Sequence, residues 1–187
     1  TTIDAQDNSR VFDVFGNSVE VVIEGLTVTG GRQVDPGQGG AGIRFASAGT
    51  LEINDSVIAG NTTEGEMASG AGIAVSGGSL VLADTVVSAN QTTGPSAVGG
   101  GIWVSGASMT MTRSTISGNR SAGSNAPGGG VLAVLTPLEL VNSTVSGNTT
   151  QLSSGGGGLY ADQGNLTIDT STVDRLSLAV SRLTIVA

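Results

Sequence analysis

Three residues in this chain of 187 have types and spacing that suit chemistry on a substrate: Asp55, Asp84 and Arg113. They follow one another in steps of 29 residues, and Asn142 continues the series. If the segments that carry them stack as successive layers, the two carboxylates lie about 5 Å apart with a guanidinium on the next layer. Carboxylates paired at that distance can divide into an acid and a base or nucleophile, and an arginine beside them can hold a developing anion. Such a trio would serve an ester- or glycan-directed hydrolase. The same residues also suit a structural role, since Asp and Asn favour turns and Arg113 would offset the repulsion between the acids.

A second set suits binding. Arg44, Ala74, Trp103, Leu132 and Tyr160 occupy equivalent places in a glycine-led motif, and Trp103 and Tyr160 are the single Trp and Tyr of the chain. In an alternating strand they point outward, where aromatic rings can stack on sugar rings or mark a contact surface. A covering loop or a neighbouring coil would explain them equally. A third set is hydroxylated: Thr115, Thr144 and Thr172, with Ser88, Ser117 and Ser146 beside them. A flat Thr/Ser array suits an ice-binding face, although Val57 and Val86 interrupt it and Thr is an ordinary strand residue.

Much chemistry is excluded by what is missing. The chain has no His and no Cys, which removes the Ser-His-Asp triad, the common zinc ligands and any disulfide. Asp35, Glu64 and Glu66 lack the dense spacing of a calcium loop, and Gly155–Gly158 is not followed by the Lys-Ser/Thr of a phosphate loop. No metal and no cofactor are expected. The seven basic residues, all Arg, face fifteen acidic ones, for a net charge of −8. That charge argues against nucleic acid and against an anionic membrane surface. No apolar run is long enough to span a bilayer and no signal peptide is visible. The chain begins at Thr1, as a mature product or a piece of a longer protein would.

The elements that must position these residues come from an internal repeat. Glycine blocks precede an apolar strand at Gly42, Gly72, Gly101, Gly130 and Gly158, and a second series ends at Asn61, Asn90, Asn119 and Asn148 in steps of 29. Between them lies a third short strand, LEI at 51–53, LVL at 80–82, MTM at 109–111 and LEL at 138–140. Each repeat thus holds three short alternating strands separated by turns. Stacking them in parallel aligns like side chains, so Ile43, Ile73, Ile102, Val131 and Leu159 form one inward column and Ile58, Val87, Ile116, Val145 and Val173 another. Each buried aliphatic side chain contributes about 1.5–3 kcal/mol. The four asparagines read as an inward ladder at a tight bend, in left-handed backbone. They match N-x-[ST], but a buried amide cannot carry a glycan.

The expected fold is therefore all-β: a single-stranded right-handed parallel β-helix of about six coils, forming one domain over 1–187. Residues 1–20 are an N-terminal strand or cap region, 21–174 the regular coils, and 175–187 a terminal coil or cap.

The paired motifs resemble the polymorphic outer membrane protein repeats of chlamydial surface proteins and, more broadly, the parallel β-helix repeats of the pectin-lyase-like superfamily. GGGI at 99–102 and GGGV at 128–131 match the first repeat motif, and Ile58-x-x-Asn61 through Val145-x-x-Asn148 match the second, with Ile or Val where that family has Phe. The resemblance implies a secreted or surface-displayed bacterial module, an adhesin among them, and Thr1–Gly31 looks like an inner portion of such proteins. The expectation for function is adhesion, or contact with a glycan or surface protein, through Arg44, Trp103, Tyr160 and the loops after each asparagine. The hydrolase on Asp55, Asp84 and Arg113 is the alternative, and ice binding a minor one.

Overall fold

The structure, a computed structural model, describes residues 1–124, 126–151 and 155–187. Loop residues Asn125, Leu152, Ser153 and Ser154, parts of two of the loops named above, lie outside the described residues.

The chain coils through three seven-stranded parallel sheets. Sheet I holds Thr2–Asp4, Thr27–Thr29, Val57–Ala59, Val86–Ser88, Thr115–Ser117, Thr144–Ser146 and Thr172–Val173. Sheet II holds Phe12–Gly16, Ile43–Ser47, Ile73–Ser76, Ile102–Ser105, Val131–Val134, Leu159–Asp162 and Leu176–Ala179. Sheet III holds Val21–Glu24, Thr50–Asn54, Ser79–Ala83, Ser108–Thr112, Leu138–Val141, Asn165–Asp169 and Arg182–Val186. Seven strands in each sheet make a rod roughly 29 Å long at the usual strand spacing.

Register follows the repeat. Ile73 pairs with Ile102, Leu80 with Met109, and Val87 with Ile116. A strand of three to five residues cannot bury itself, but its inward side chains meet their own kind on the coils above and below. Phe45, Ile53, Leu82, Met111 and Ile116 are all fully buried in this single core.

The structure adds a fourth sheet that the repeat pattern does not reveal. Arg32–Gln33, Thr62–Thr63, Gln91–Thr92, Arg120–Ser121 and Thr149–Thr150 pair in parallel just after the asparagine positions. The expectation of three strands per coil is corrected to four in these coils. Two-residue strands are too short to show alternation, and their inward members are polar rather than apolar: Gln33, then Thr63, Thr92, Ser121 and Thr150. Thr63 Oγ1 donates to Ala68 O at 2.6 Å and Thr92 Oγ1 to Ala97 O at 3.2 Å, tying each loop to the core. The N-x-[ST] matches therefore record two inward polar columns, Asn and Thr/Ser, side by side.

The rod narrows at its end. Only Asp174 and Arg175 separate Val173 from Leu176, so the last coil passes from sheet I to sheet II without a sheet IV strand. It still pairs fully, with Leu176–Ala179 on Leu159–Asp162 and Arg182–Val186 on Asn165–Asp169. Among the described residues there is no helix long and apolar enough to cross a membrane.

Candidate functional site

The asparagine column is a continuous hydrogen-bond chain. Asn61 Nδ2 donates to Asn90 Oδ1 at 2.9 Å, Asn90 Nδ2 to Asn119 Oδ1 at 3.0 Å, and Asn119 Nδ2 to Asn148 Oδ1 at 2.9 Å. The second amide hydrogen goes to a carbonyl of the preceding coil, Ile58 O for Asn90 and Val87 O for Asn119, each at 2.9 Å. Each Oδ1 also accepts the backbone N–H of the rung before it, as Asn119 Oδ1 does from Asn90 N at 3.0 Å. All four side chains are buried, and their polar groups are satisfied, as burial requires. One expectation is corrected: the left-handed residue is not the asparagine but the one before it. Gly60, Ala89, Gly118 and Gly147 have φ of 67°, 53°, 63° and 64°.

A second ladder, not singled out in the sequence, runs along the corner between sheets III and I. Thr85 N donates to Ser114 Oγ at 3.1 Å, Ser114 N to Ser143 Oγ at 3.2 Å and Ser143 N to Ser171 Oγ at 2.8 Å. Each hydroxyl then donates to the carbonyl two residues back, such as Ser114 Oγ to Thr112 O at 2.8 Å. Its signal was the recurrence of Ser or Thr at 56, 85, 114, 143 and 171. Outward, the Thr115, Thr144 and Thr172 column does lie on sheet I beside Ser117 and Ser146.

Asp55, Asp84 and Arg113 occupy the same corner, one residue before that ladder. All are left-handed, with φ of 46°, 50° and 47°, followed by Asn142 at 50° and Thr170 at 46°. Asp and Asn tolerate this backbone better than most residues. The side chains at this corner are exposed. Arg113 grips Asp84 with two bonds, Nε to Oδ1 at 2.8 Å and Nη2 to Oδ2 at 2.6 Å. Hydrogen bonding to Arg113, helped by its charge, holds the Asp84 carboxyl below the usual carboxylate range. That favours a permanent ion pair and works against a proton donor.

Sheet II carries the binding candidates. Arg44, Ala74, Trp103, Leu132 and Tyr160 form one outward column, in register from strand to strand. The column is not an open aromatic strip. Ala74 and Leu132 are buried, and Arg44, Trp103 and Tyr160 are half-buried. The glycine turn that leads into each strand lies over the strand's own outward face. A Cβ at Gly99, which leads into the Trp103 strand, would come within 3.1 Å of Trp103 Cβ, and one at Gly70, on the coil before, within 2.9 Å. Leu132 separates Trp103 from Tyr160.

What the turns leave open is a groove of about 260 Å³ lined by Gly37, Gly39, Arg44, Met67, Ser69, Ala74, Ser76 and Trp103. Its shape follows from the column. Ala74, the one small residue between two large ones, forms the floor, with Arg44 and Trp103 rising one coil to either side. Arg10 props the rim by donating from Nε to Gly40 O and from Nη2 to Gly39 O, both at 2.9 Å. Asp13 takes a short bond from Arg10 at 2.7 Å and a longer one from Arg44 Nη1 at 3.3 Å. Two guanidinium groups thus share one carboxylate at the head of the groove. No group of three or more potential metal ligands occurs among the described residues.

A parallel solenoid with an asparagine ladder and glycine-led strands defines a class of protein, and comparison of sequences agrees with it. The family model for the right handed beta helix region matches residues 7–173, and the chain belongs to that family. No curated protein matches the chain.

Proposed function

We propose that this β-helix is an extracellular or cell-surface module that holds a saccharide in the groove over Ala74, between Trp103 and Arg44, as part of bacterial adhesion or surface contact. The observation that carries this reading is the groove itself. It joins an aromatic ring, a guanidinium, two serine hydroxyls and an apolar methionine around an alanine floor. Its volume is slightly under the range of about 300–1,000 Å³ common for small-molecule sites, which suits one sugar ring. A sugar presents an apolar face for Trp103 and a rim of hydroxyls for Ser69, Ser76 and Arg44. The resemblance to surface-protein repeats points the same way. Tyr160 contributes outside the groove, as a separate contact beyond Leu132.

Trp103 is the sole Trp, so its fluorescence reports the site without interference. Titration with oligosaccharides chosen from a glycan array should shift its emission, and Trp103→Ala should lose the array signal. An array blank for the wild-type chain would remove the glycan reading. The hydrolase reading is less well supported, because the best-placed acid, Asp84, is tied on both oxygens by Arg113.

A further inference from the structure

Met67 differs from the other methionines of the chain. Met109 and Met111 are buried in the core, whereas Met67 is 58% exposed and takes no part in that core. Its backbone is left-handed, with φ of 56°. The coil before has Gly37 at the equivalent turn position, φ 69°, and the coil after has Ser96, φ 56°. Glycine and small polar residues are the ordinary choices for such a turn, and a long apolar side chain there is strained. The turn itself is fixed by backbone groups that any residue would supply: Met67 N donates to Pro95 O at 2.9 Å, and Met67 O accepts from Ser69 Oγ at 3.3 Å. The side chain therefore serves neither the core nor the turn. Strained residues of this kind gather at ligand sites, and Met67 lines the groove over Ala74.

The polar groups of the groove have a direction as well. Arg44 reaches Asp13 through Nη1 alone, at 3.3 and 3.5 Å. That leaves its Nε and Nη2 to donate elsewhere, and a guanidinium can only donate. Ser76 Oγ makes no hydrogen bond among the described residues. Ser69 Oγ is more committed, since it donates to Met67 O and accepts from Val98 N, each at 3.3 Å. The groove thus offers mainly donors. Asp13 already lies against both Arg10 and Arg44, and the chain carries a net charge of −8, so a neutral acceptor suits these donors better than an anion.

A plain hexose has one apolar face, and Trp103 is enough to cover it. The Met67 side chain and the Ala74 methyl would then stand against hydroxyl groups, which costs binding free energy. We infer that the groove selects a saccharide that carries an acetamido group, an N-acetylhexosamine. This rests on the saccharide reading above and names the class of sugar. The acetamido methyl lies on Ala74 against Met67, the acetamido carbonyl accepts from Arg44 or Ser76, and the ring packs on Trp103.

The test titrates the 187-residue chain with the methyl glycosides of N-acetylglucosamine, N-acetylgalactosamine and N-acetylmannosamine, each against its parent hexose, and reads Trp103 emission and calorimetric heat. At least one acetamido sugar should bind about tenfold or more tighter than its parent, the discrimination that one methyl group gives in a fitted apolar pocket. Met67→Gly copies the residue at position 37, so the turn is kept. It should bring that ratio close to one while hexose affinity stays within about twofold. Ser76→Ala should lower the ratio severalfold. Hexoses that bind as tightly as every acetamido partner overturn the inference and leave the saccharide reading standing. A ratio unchanged in Met67→Gly also overturns it. A chain that binds none of the six sugars overturns both.

Discussion

Gly72 lies against the side-chain amide of Asn90 so closely that a Cβ on it would stand 2.9 Å from Nδ2. Gly101 meets Asn119 in the same way, with its virtual Cβ 2.9 Å from Cγ, and Gly130 meets Asn148 at 2.8 Å. The glycine block and the asparagine motif, 18 positions apart in sequence for Gly72 and Asn90, are thus two halves of one contact. None of these three glycines has positive φ. They are required for space and not for backbone freedom. Gly101→Ala should force the asparagine column aside and cost about 1–3 kcal/mol, the usual range for overpacking. Chemical denaturation of the wild type and the variant checks it.

Asn119→Ala should cost more than a surface change. It removes the acceptor of Asn90 N and Asn90 Nδ2 and the donor to Val87 O and Asn148 Oδ1. Each buried group left unpaired costs about 1–3 kcal/mol, so a loss of several kcal/mol is expected. Asn119→Asp should be no better, since it keeps the size and deletes the donor. Thermal unfolding of both variants gives the comparison.

Ala89 occupies a left-handed position, φ 53°, that glycine fills at 60, 118 and 147. A left-handed non-glycine residue costs about 1–2 kcal/mol, against roughly 0.5–1 kcal/mol of chain entropy lost by glycine. Ala89→Gly should therefore stabilise the rod by up to about 1 kcal/mol. The reciprocal change Gly118→Ala should destabilise it, although a Cβ there would meet nothing closer than Ala89 N at 4.0 Å. The unfolding midpoints should move in opposite directions.

The pair Asp84–Arg113 sets a pH dependence with a definite sign. Its carboxyl is held low by Arg113, through hydrogen bonds and then charge. The stability it contributes is present above the ordinary Asp range and is lost as pH falls through the lowered value. Because the pair is exposed, salt screens it. The midpoint difference between the wild type and Asp84→Asn should be small at neutral pH and low salt, and should vanish in acid or at high salt.

Ala74→Leu should fill the floor of the groove between Arg44 and Trp103. Saccharide-induced change in Trp103 emission should be lost, with the unfolding midpoint little changed because the same column already holds a leucine, Leu132, under its own glycine turn. Binding that survives this substitution would place the ligand elsewhere.

The core of this fold is legible in the sequence because it rests on type and period together. Ile43, Ile73 and Ile102 repeat both, and so do the asparagines. The sheet IV strands are not, because two residues such as Thr62 and Thr63 carry no alternation and their inward hydroxyls resemble loop. The Ser56 to Ser171 column was periodic, but hydroxyls on strands are as common outside as inside, so its burial could not be read. At the candidate site the column Arg44, Ala74, Trp103 was legible and the groove was not. Its walls come from Gly37, Gly39, Met67 and Ser69, whose placement over sheet II depends on where each turn folds back.

The two polar ladders give every middle coil the same connectors on its lower and upper sides. Asn90 accepts from the coil before and donates to the coil after, and Thr85 does likewise through its hydroxyl and backbone N–H. A coil with matching connectors on both sides is an interchangeable part. The number of coils is then set by no feature of the joint, and duplication or loss of one 29-residue unit would change the length of the rod while leaving each remaining contact as it was.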